Sequence, residues 1–237
     1  MKVVIQMSVS APEKEKMDVN TRYREMVFES VKTNTSNGYL YTKRFLDIAG
    51  SLVGLIILIP LFLIISLLIK MEDPHGPVFF KQKRVGKHGK TFNMYKFRSM
   101  VCNAEDLKAS LLKQNEASGP VFKIKSDPRI TRIGKFIRKT SIDELPQLVN
   151  VLNGDMSIVG PRPALPDEVA QYTNYEKQRI SVTPGLTCFW QVNGRSNISF
   201  QEWVEMDLDY IRKRNTMMDI KLILKTILVL FGSKDAY

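Results

Sequence analysis

The stretch from Ile48 to Ile69 reads IAGSLVGLIILIPLFLIISLLI, 22 residues without a charge, and its reading decides the architecture of the chain. Lys43, Arg44 and Asp47 stand before it and Lys70 follows it. A straight helix of that length reaches about 33 Å, against roughly 30 Å of bilayer hydrocarbon. A helix in a soluble core normally keeps a polar face, whereas here only Ser51 and Ser66 interrupt the apolar surface. Pro60 lies near the middle. A proline inside a helix removes a hydrogen bond and clashes with the preceding turn, so the pattern predicts a break, with halves 48–59 and 61–69 each too short to cross. Both flanks are basic, which favours keeping both ends on the cytoplasmic side. The expectation is a re-entrant hairpin, helix–break–helix, entering and leaving one leaflet. The carbonyl freed near the break then needs a partner at membrane depth, and Ser51 and Ser66 are the candidates.

Working outward, residues 1–42 form a polar tail, expected to be mobile, with a short helix over 22–31 and no secretory signal pattern. Beyond the apolar run, Pro74 to Ala104 holds no acidic residue. Seven basic ones fall between Lys81 and Arg98: Lys81, Lys83, Arg84, Lys87, Lys90, Lys96 and Arg98. Val78–Phe80 and Thr91–Tyr95, around Gly86 and Gly89, read as a β-hairpin. Helices are expected over 104–114, 129–139, 141–153, 166–179, 200–214 and 217–231, with short strands at 156–159 and 187–192. The last helix, with Lys221 and Lys225 on one face, suits a membrane surface.

The chain has 237 residues, 44% hydrophobic and 25% charged, enough for one substantial core. Collagen-like and wholly disordered readings are excluded. Cys102 and Cys188 cannot build a disulfide framework, and with His75 and His88 as the only histidines a zinc site is not expected. The net charge of +11 points to a polyanionic partner: nucleic acid, an anionic membrane surface or phosphorylated substrates.

Chemistry concentrates in Thr140-Ser-Ile-Asp-Glu-Leu-Pro146. Asp143 and Glu144 fall at the start of a predicted helix, where Thr140 with Asp143, or Ser141 with Glu144, matches a capping box. The other reading uses the basic surroundings, including Arg138. Nearby positive charge and a helix N-terminus favour ionised carboxylates. An ionised aspartate can attack phosphorus or ligate Mg2+ shared with substrate phosphates. Arg162, between two prolines, suits a phosphate contact, and Arg195 follows Asn193-Gly194 in the same ambiguous way. Asp219 is an acid inside an apolar stretch, there to pair with a base or to serve the site.

Several motifs in order resemble those of the monotopic bacterial sugar transferases, the polyprenyl-phosphate phosphoglycosyl transferases of exopolysaccharide initiation. They are Lys-Arg-Phe-Leu-Asp (43–47), Gly-Pro-Val-Phe-Phe-Lys-Gln-Lys-Arg-Val-Gly (76–86), Tyr-Lys-Phe-Arg-Ser-Met (95–100), Ser-Ile-Asp-Glu-Leu-Pro-Gln (141–147), Gly-Asp-Met-Ser-Ile-Val-Gly-Pro-Arg-Pro (154–163), and Thr-Pro-Gly-Leu-Thr (183–187) with Gln-Val-Asn-Gly-Arg (191–195). The likeness runs from about Lys43 to Phe231.

The resemblance implies transfer of a sugar-1-phosphate from a UDP-sugar to polyprenyl (undecaprenyl) phosphate, with release of UMP. It makes Asp143 the covalent nucleophile and Mg2+ ligand, and Glu144 its partner. Arg138, Arg162, Arg195, Lys96, Arg98 and Asp219 become the expected substrate and phosphate contacts. The family's hairpin break is often Ser-Pro, where this chain has Ile59-Pro60, and larger relatives carry a multi-span membrane domain where this chain has its tail. The expected fold is α+β: a tail over 1–42, the hairpin over 43–70, and a cytoplasmic catalytic domain over 71–237 with membrane-surface helices, held at the inner membrane. Glucose or galactose is the expected sugar, and a homo-oligomer or a synthesis partner stays open. A nucleic-acid partner is not expected. A membrane-bound scaffold binding anionic lipid, with a non-catalytic dyad, is the rival reading.

Overall fold

The computed structural model describes residues 31–116, 119–122, 124, 126–193 and 198–232. The expected helix over 22–31, and all but the last twelve residues of the tail, lie outside them.

The apolar run belongs to a single helix, α1 (Asn37–Glu72), that starts earlier than expected and runs through Pro60. Ser36 caps it by accepting from the Tyr39 N–H at 3.4 Å. The two separate helices predicted around Pro60 are therefore one continuous element. Its buried positions, Tyr39, Lys43, Asp47, Ser51, Ile65 and Ile69, recur at multiples of about four and so share one face. Most of its large apolar side chains elsewhere, Ile56, Ile57, Leu63, Ile64 and Leu67 among them, face outward. Ser51 and Ser66 hydrogen-bond back to the carbonyls of Asp47 and Phe62, four residues upstream, and not across the proline.

The expected β-hairpin forms, with both strands longer than the expected 78–80 and 91–95: β1 (Phe79–Val85) pairs antiparallel with β2 (Thr91–Phe97), Phe79 opposite Phe97 and Val85 opposite Thr91. The turn needs left-handed backbone at His88 (φ +56°) and Gly89 (φ +81°). A short helix, α2 (Ala104–Leu111), follows, then α3 (Arg132–Lys139), capped by Thr131. A Cβ at Gly134 would stand 2.0 Å from the Ser99 carbonyl, so only glycine lets α3 pack this tightly beside β2. Beyond α3 come α4 (Gln147–Asn153), ended by Gly154 at φ +87°, and β3 (Ser157–Val159).

Two expectations fail in the second half. The helix predicted over 166–179 is only α5 (Pro166–Ala170) followed by a 3-10 turn over Glu176–Ser181. The strand predicted over 187–192 is instead β4 (Gly185–Thr187), parallel to β3, and a helical turn α6 (Phe189–Asn193). In both cases residues with sheet or helix propensity follow the packing of their neighbours. The chain closes with α7 (Phe200–Lys213), which carries a capping box from Ser199 and Glu202, and α8 (Thr216–Gly232).

The main core gathers Val159, Tyr172, Val182, Cys188, Trp203, Val204, Leu208 and Ile211 between α7 and the β3–β4 pair. A second cluster joins the far end of α1 to the hairpin and α3 through Ile65, Ile69, Phe97 and Ile137. The near end of α1 is fastened by polar groups. Asp47 accepts from the Ile158 N–H at 2.8 Å and the Ser157 hydroxyl at 3.0 Å, while Arg44 donates to the carbonyls of Val151 and Leu152 at 2.7 Å. Both ends of α1 thus rest on the same body.

Candidate active site

The dyad does not open a helix. Ser141 adopts left-handed backbone (φ +56°, ψ +16°), and Ile142–Glu144 form one 3-10 turn before α4 begins at Gln147. Neither capping box forms. Ser141 makes no side-chain cap, and the Thr140 hydroxyl donates to the carbonyl of Phe136 at 2.9 Å. The carboxylates are free for other work.

That turn directs the two acids differently. Asp143 is buried, 7% exposed, whereas the Glu144 side chain is 38% exposed. Lys96 on β2 reaches both: its ammonium is 2.6 Å from Glu144 Oε1 and 4.0 Å from Asp143 Oδ2. Asn150 on α4 fixes this meeting. It accepts from the Tyr95 N–H at 2.9 Å and donates to the Asn93 carbonyl at 2.8 Å, holding α4 against β2 beside Lys96. Burial pushes the Asp143 carboxyl up to about 6, helped by the Glu144 charge and opposed by Lys96 and Arg138. For Glu144, burial pushes the carboxyl up, but the charge and hydrogen bond of Lys96 together with Arg162 and Arg84 outweigh it and hold the group below its ordinary range.

Of the expected contacts, Lys96, Arg138 and Arg162 act electrostatically on the dyad. Arg162 stands over the Trp203 ring, 5.3 Å from its centroid, with the buried Glu168 at 3.7 Å. Its loop is tied on both sides. The Gly160 N–H donates to Thr187, the Gly185 N–H to Pro161, and the Val85 N–H to Ala164.

Two expected residues are engaged elsewhere. Arg98 pairs with Asp73 just beyond the end of α1, donating to its carboxylate and, at 2.8 Å, to its carbonyl. Asp219 on α8 is buried in a network with Lys43 (2.9 Å), Tyr39 (2.9 Å) and Tyr210 (2.8 Å). It joins the first and last helices and does not contact the dyad. Arg195 lies outside the described residues.

Arg84, which the sequence presents as one member of a general basic run, also acts electrostatically on Glu144. The hairpin exposes Lys81 and Lys83 and turns Gln82 and Arg84 inward, a period-two signal that was available. Among the described residues no cluster of three or more His, Cys, Asp or Glu is gathered. The two carboxylates suit Mg2+ in its usual protein setting, one or two acids with the remaining ligands from water and substrate phosphate.

A family model described as "Bacterial sugar transferase" matches residues 38–233. The chain is 49% identical over 199 residues to a galactosyl transferase, CpsE, of Streptococcus agalactiae, covering 82% of this chain and 43% of that protein. It is 43% identical over 205 residues to the undecaprenyl-phosphate galactose phosphotransferase of Salmonella typhimurium, covering 83% and 42%. It is 37% identical over 200 residues to the exopolysaccharide production protein ExoY of Sinorhizobium fredii, covering 83% and 88%. The chain therefore spans less than half the length of the first two relatives and most of the third. With the motifs falling at a dyad set among cations, and the match running from α1 to α8, the chain belongs to the bacterial sugar transferase family.

Proposed function

We propose that this protein transfers a sugar-1-phosphate from a UDP-sugar to polyprenyl phosphate at the membrane surface. The observation that carries the reading is the inequality of the dyad: a buried Asp143 beside a Glu144 already neutralised by Lys96. The name of the Salmonella typhimurium relative accords with this chemistry, and that of the Sinorhizobium fredii relative with exopolysaccharide production.

In the first step an Asp143 oxygen attacks the β-phosphorus of the donor. The bond from that phosphorus to the bridging oxygen breaks, and UMP leaves with the electron pair. In the second step a phosphate oxygen of the polyprenyl phosphate attacks the same phosphorus, the Asp143–phosphorus bond breaks, and the carboxylate returns. Asp143, ionised above about pH 6, is a competent nucleophile at neutral pH. Arg138 and Arg162 offset the repulsion between carboxylate and phosphate and stabilise charge in the transition state. Asp143, with Glu144 beside it, would hold Mg2+, which when bound would supply further neutralisation of the diphosphate. Glucose and galactose are the proposed sugars.

We infer that α1 is a re-entrant element, bent at Pro60 without losing its helical continuity, that dips into the cytoplasmic leaflet of the inner membrane. It is long and apolar enough to cross a bilayer, yet both its ends are fastened to one body. A spanning helix would separate those ends by the full hydrocarbon thickness. In a Cys102→Ser background, single cysteines at Tyr41 and Met71 should both react with a membrane-impermeant reagent from the cytoplasmic side only. Labelling from opposite sides would establish a spanning helix.

The reaction is tested by supplying detergent-purified protein with Mg2+, undecaprenyl phosphate and a panel of UDP-sugars, with Asp143→Asn in parallel. Release of UMP with one donor, abolished by Asp143→Asn, is the expected result. UDP in place of UMP would mean ordinary glycosyl transfer. Neither product from folded protein would favour the scaffold reading.

A further inference from the structure

Arg84 is 5% exposed, and its guanidinium makes three hydrogen bonds to neutral acceptors. Nη1 donates to the Pro163 carbonyl at 3.0 Å, and Nε and Nη2 donate to Gln82 Oε1 at 3.1 and 2.6 Å. Among the described residues no carboxylate forms an ion pair with it. Buried cations are ordinarily matched by an anion, because removing the charge from water costs several kcal/mol that neutral acceptors only partly return.

The neighbourhood sharpens the mismatch. Pro163, whose carbonyl Arg84 holds, directly follows Arg162, so the Arg84 guanidinium is fastened to the backbone next to Arg162 and the two arginine charges act on each other. The two repel. Burial and Arg162 together push Arg84 down to about 9, against the weaker opposing pull of Glu168 and Glu144. Among the described residues Arg162 forms one ion pair, with Glu168 at 3.7 Å, and that carboxylate also accepts from the Leu165 N–H at 2.8 Å. Of the other buried guanidinium groups among the described residues, three are matched by an acid and Arg214, which donates to the Asn34 carbonyl at 2.7 Å, is not; Arg98 pairs with Asp73. Arg179 has Asp207 at 2.7 Å, and Arg129 has Asp127 at 2.6 Å. Among the described residues Arg84 has no such partner, and the Arg162–Glu168 contact is longer, at 3.7 Å.

We propose that Arg84 and Arg162 form a two-guanidinium seat for a substrate phosphate, with Arg84 as its buried, fixed half. The inference rests on the phosphoglycosyl-transfer reading and adds a residue and a role to it. Two guanidinium charges that both act on Glu144 suit a phosphate that brings more than one negative charge, since guanidinium groups bind phosphate oxygens by several N–H donors. Gln82 and the Pro163 carbonyl hold the Arg84 plane before the anion arrives, so little ordering is left for binding. A diphosphate of the donor and the phosphate of the acceptor lipid share this chemistry.

The test is calorimetric titration of the full chain in detergent with two probes, UDP and a short-chain prenyl phosphate, at several salt concentrations. Wild type is compared with Arg84→Gln and Arg84→Lys, and UMP release is measured alongside. We expect Arg84→Gln to weaken at least one probe about tenfold or more and to flatten its salt dependence. Arg84→Lys, which keeps charge and loses the fork, should fall between. Loss confined to UDP assigns the seat to the nucleotide donor, and loss confined to prenyl phosphate assigns it to the acceptor. A merely structural role would lower the unfolding temperature without changing the salt slope, and that outcome overturns the proposal. If Arg84→Gln does not fold, Arg84→Lys decides alone: affinity equal to wild type for both probes overturns it. Unchanged binding in a variant alongside UMP release by wild type removes the seat and leaves the reaction standing. Wild type that binds neither probe and releases no UMP removes the reaction, and the seat with it.

Discussion

Lys96 holds Glu144 at 2.6 Å and leaves Asp143 at 4.0 Å, so two adjacent carboxylates on one short turn have different electrostatic environments. The closer acid is neutralised by a direct contact. The farther one is buried and keeps an oxygen for chemistry.

Lys96→Gln removes the largest influence that lowers the Asp143 carboxyl. Without it, burial and Glu144 push that group further up. The acid limb of the pH–rate profile for UMP release should move to higher pH, by about one unit, with reduced turnover at its plateau. An unmoved acid limb would mean that Asp143 is not the titrating nucleophile.

Asp143→Asn should abolish transfer and stabilise the protein above pH 6. The sign follows from linkage. The folded carboxyl is raised to about 6 from an ordinary value near 3.8, so the native state binds the proton more tightly than the unfolded chain. That stabilisation is complete below about pH 4 and is lost as pH rises through about 6. An uncharged amide escapes the loss, by about 1–3 kcal/mol. Unfolding midpoints of wild type and Asp143→Asn at pH 5 and pH 8 check this: the gap between them should widen with pH.

The Lys43–Asp219 pair joins residues 176 apart in sequence and carries Tyr39 and Tyr210 with it. Lys43→Met or Asp219→Asn alone should cost about 3–5 kcal/mol, because each strands a buried partner. The double variant Lys43→Met/Asp219→Asn should recover a large part of that loss. Lys43 also donates to the Val159 carbonyl at 2.8 Å, three residues before Arg162, so the single variants should slow transfer too. Denaturant midpoints in a double-mutant cycle measure the coupling.

Ser141 occupies left-handed backbone immediately before the dyad turn. Ser141→Gly should be stabilising by about 0.5–1 kcal/mol, whereas Ser141→Val should destabilise by about 1–2 kcal/mol and displace Asp143. Urea midpoints, with UMP release in parallel, distinguish the two. Equal stability in both variants would show that the backbone relaxes out of this conformation.

Elements with strong local patterning were legible without a structure. Alternation marked the 79–97 hairpin, and Gly154 marked the end of α4. The start of α4 was misjudged. A left-handed serine followed by a 3-10 turn is a conformation that local spacing cannot distinguish from a capped helix. Pro60 was read as a break, yet the helix continues through it, although α1 is buried only at positions nearer its ends and the residues around Pro60 stay exposed.

The sequence by itself determined that an uncharged 22-residue run, a basic hairpin and an Asp-Glu dyad lie on one chain in a family's characteristic order. Those properties are local: residue type, period and spacing suffice to express them. Only the tertiary structure decided which charge answers which. It gave Lys96 to Glu144, Asp219 to Lys43 and Arg98 to Asp73, and it left Arg84 without an acid. Ion pairing depends on burial and on distances of a few ångströms between segments remote in sequence, and these exist only once the helices and strands have packed.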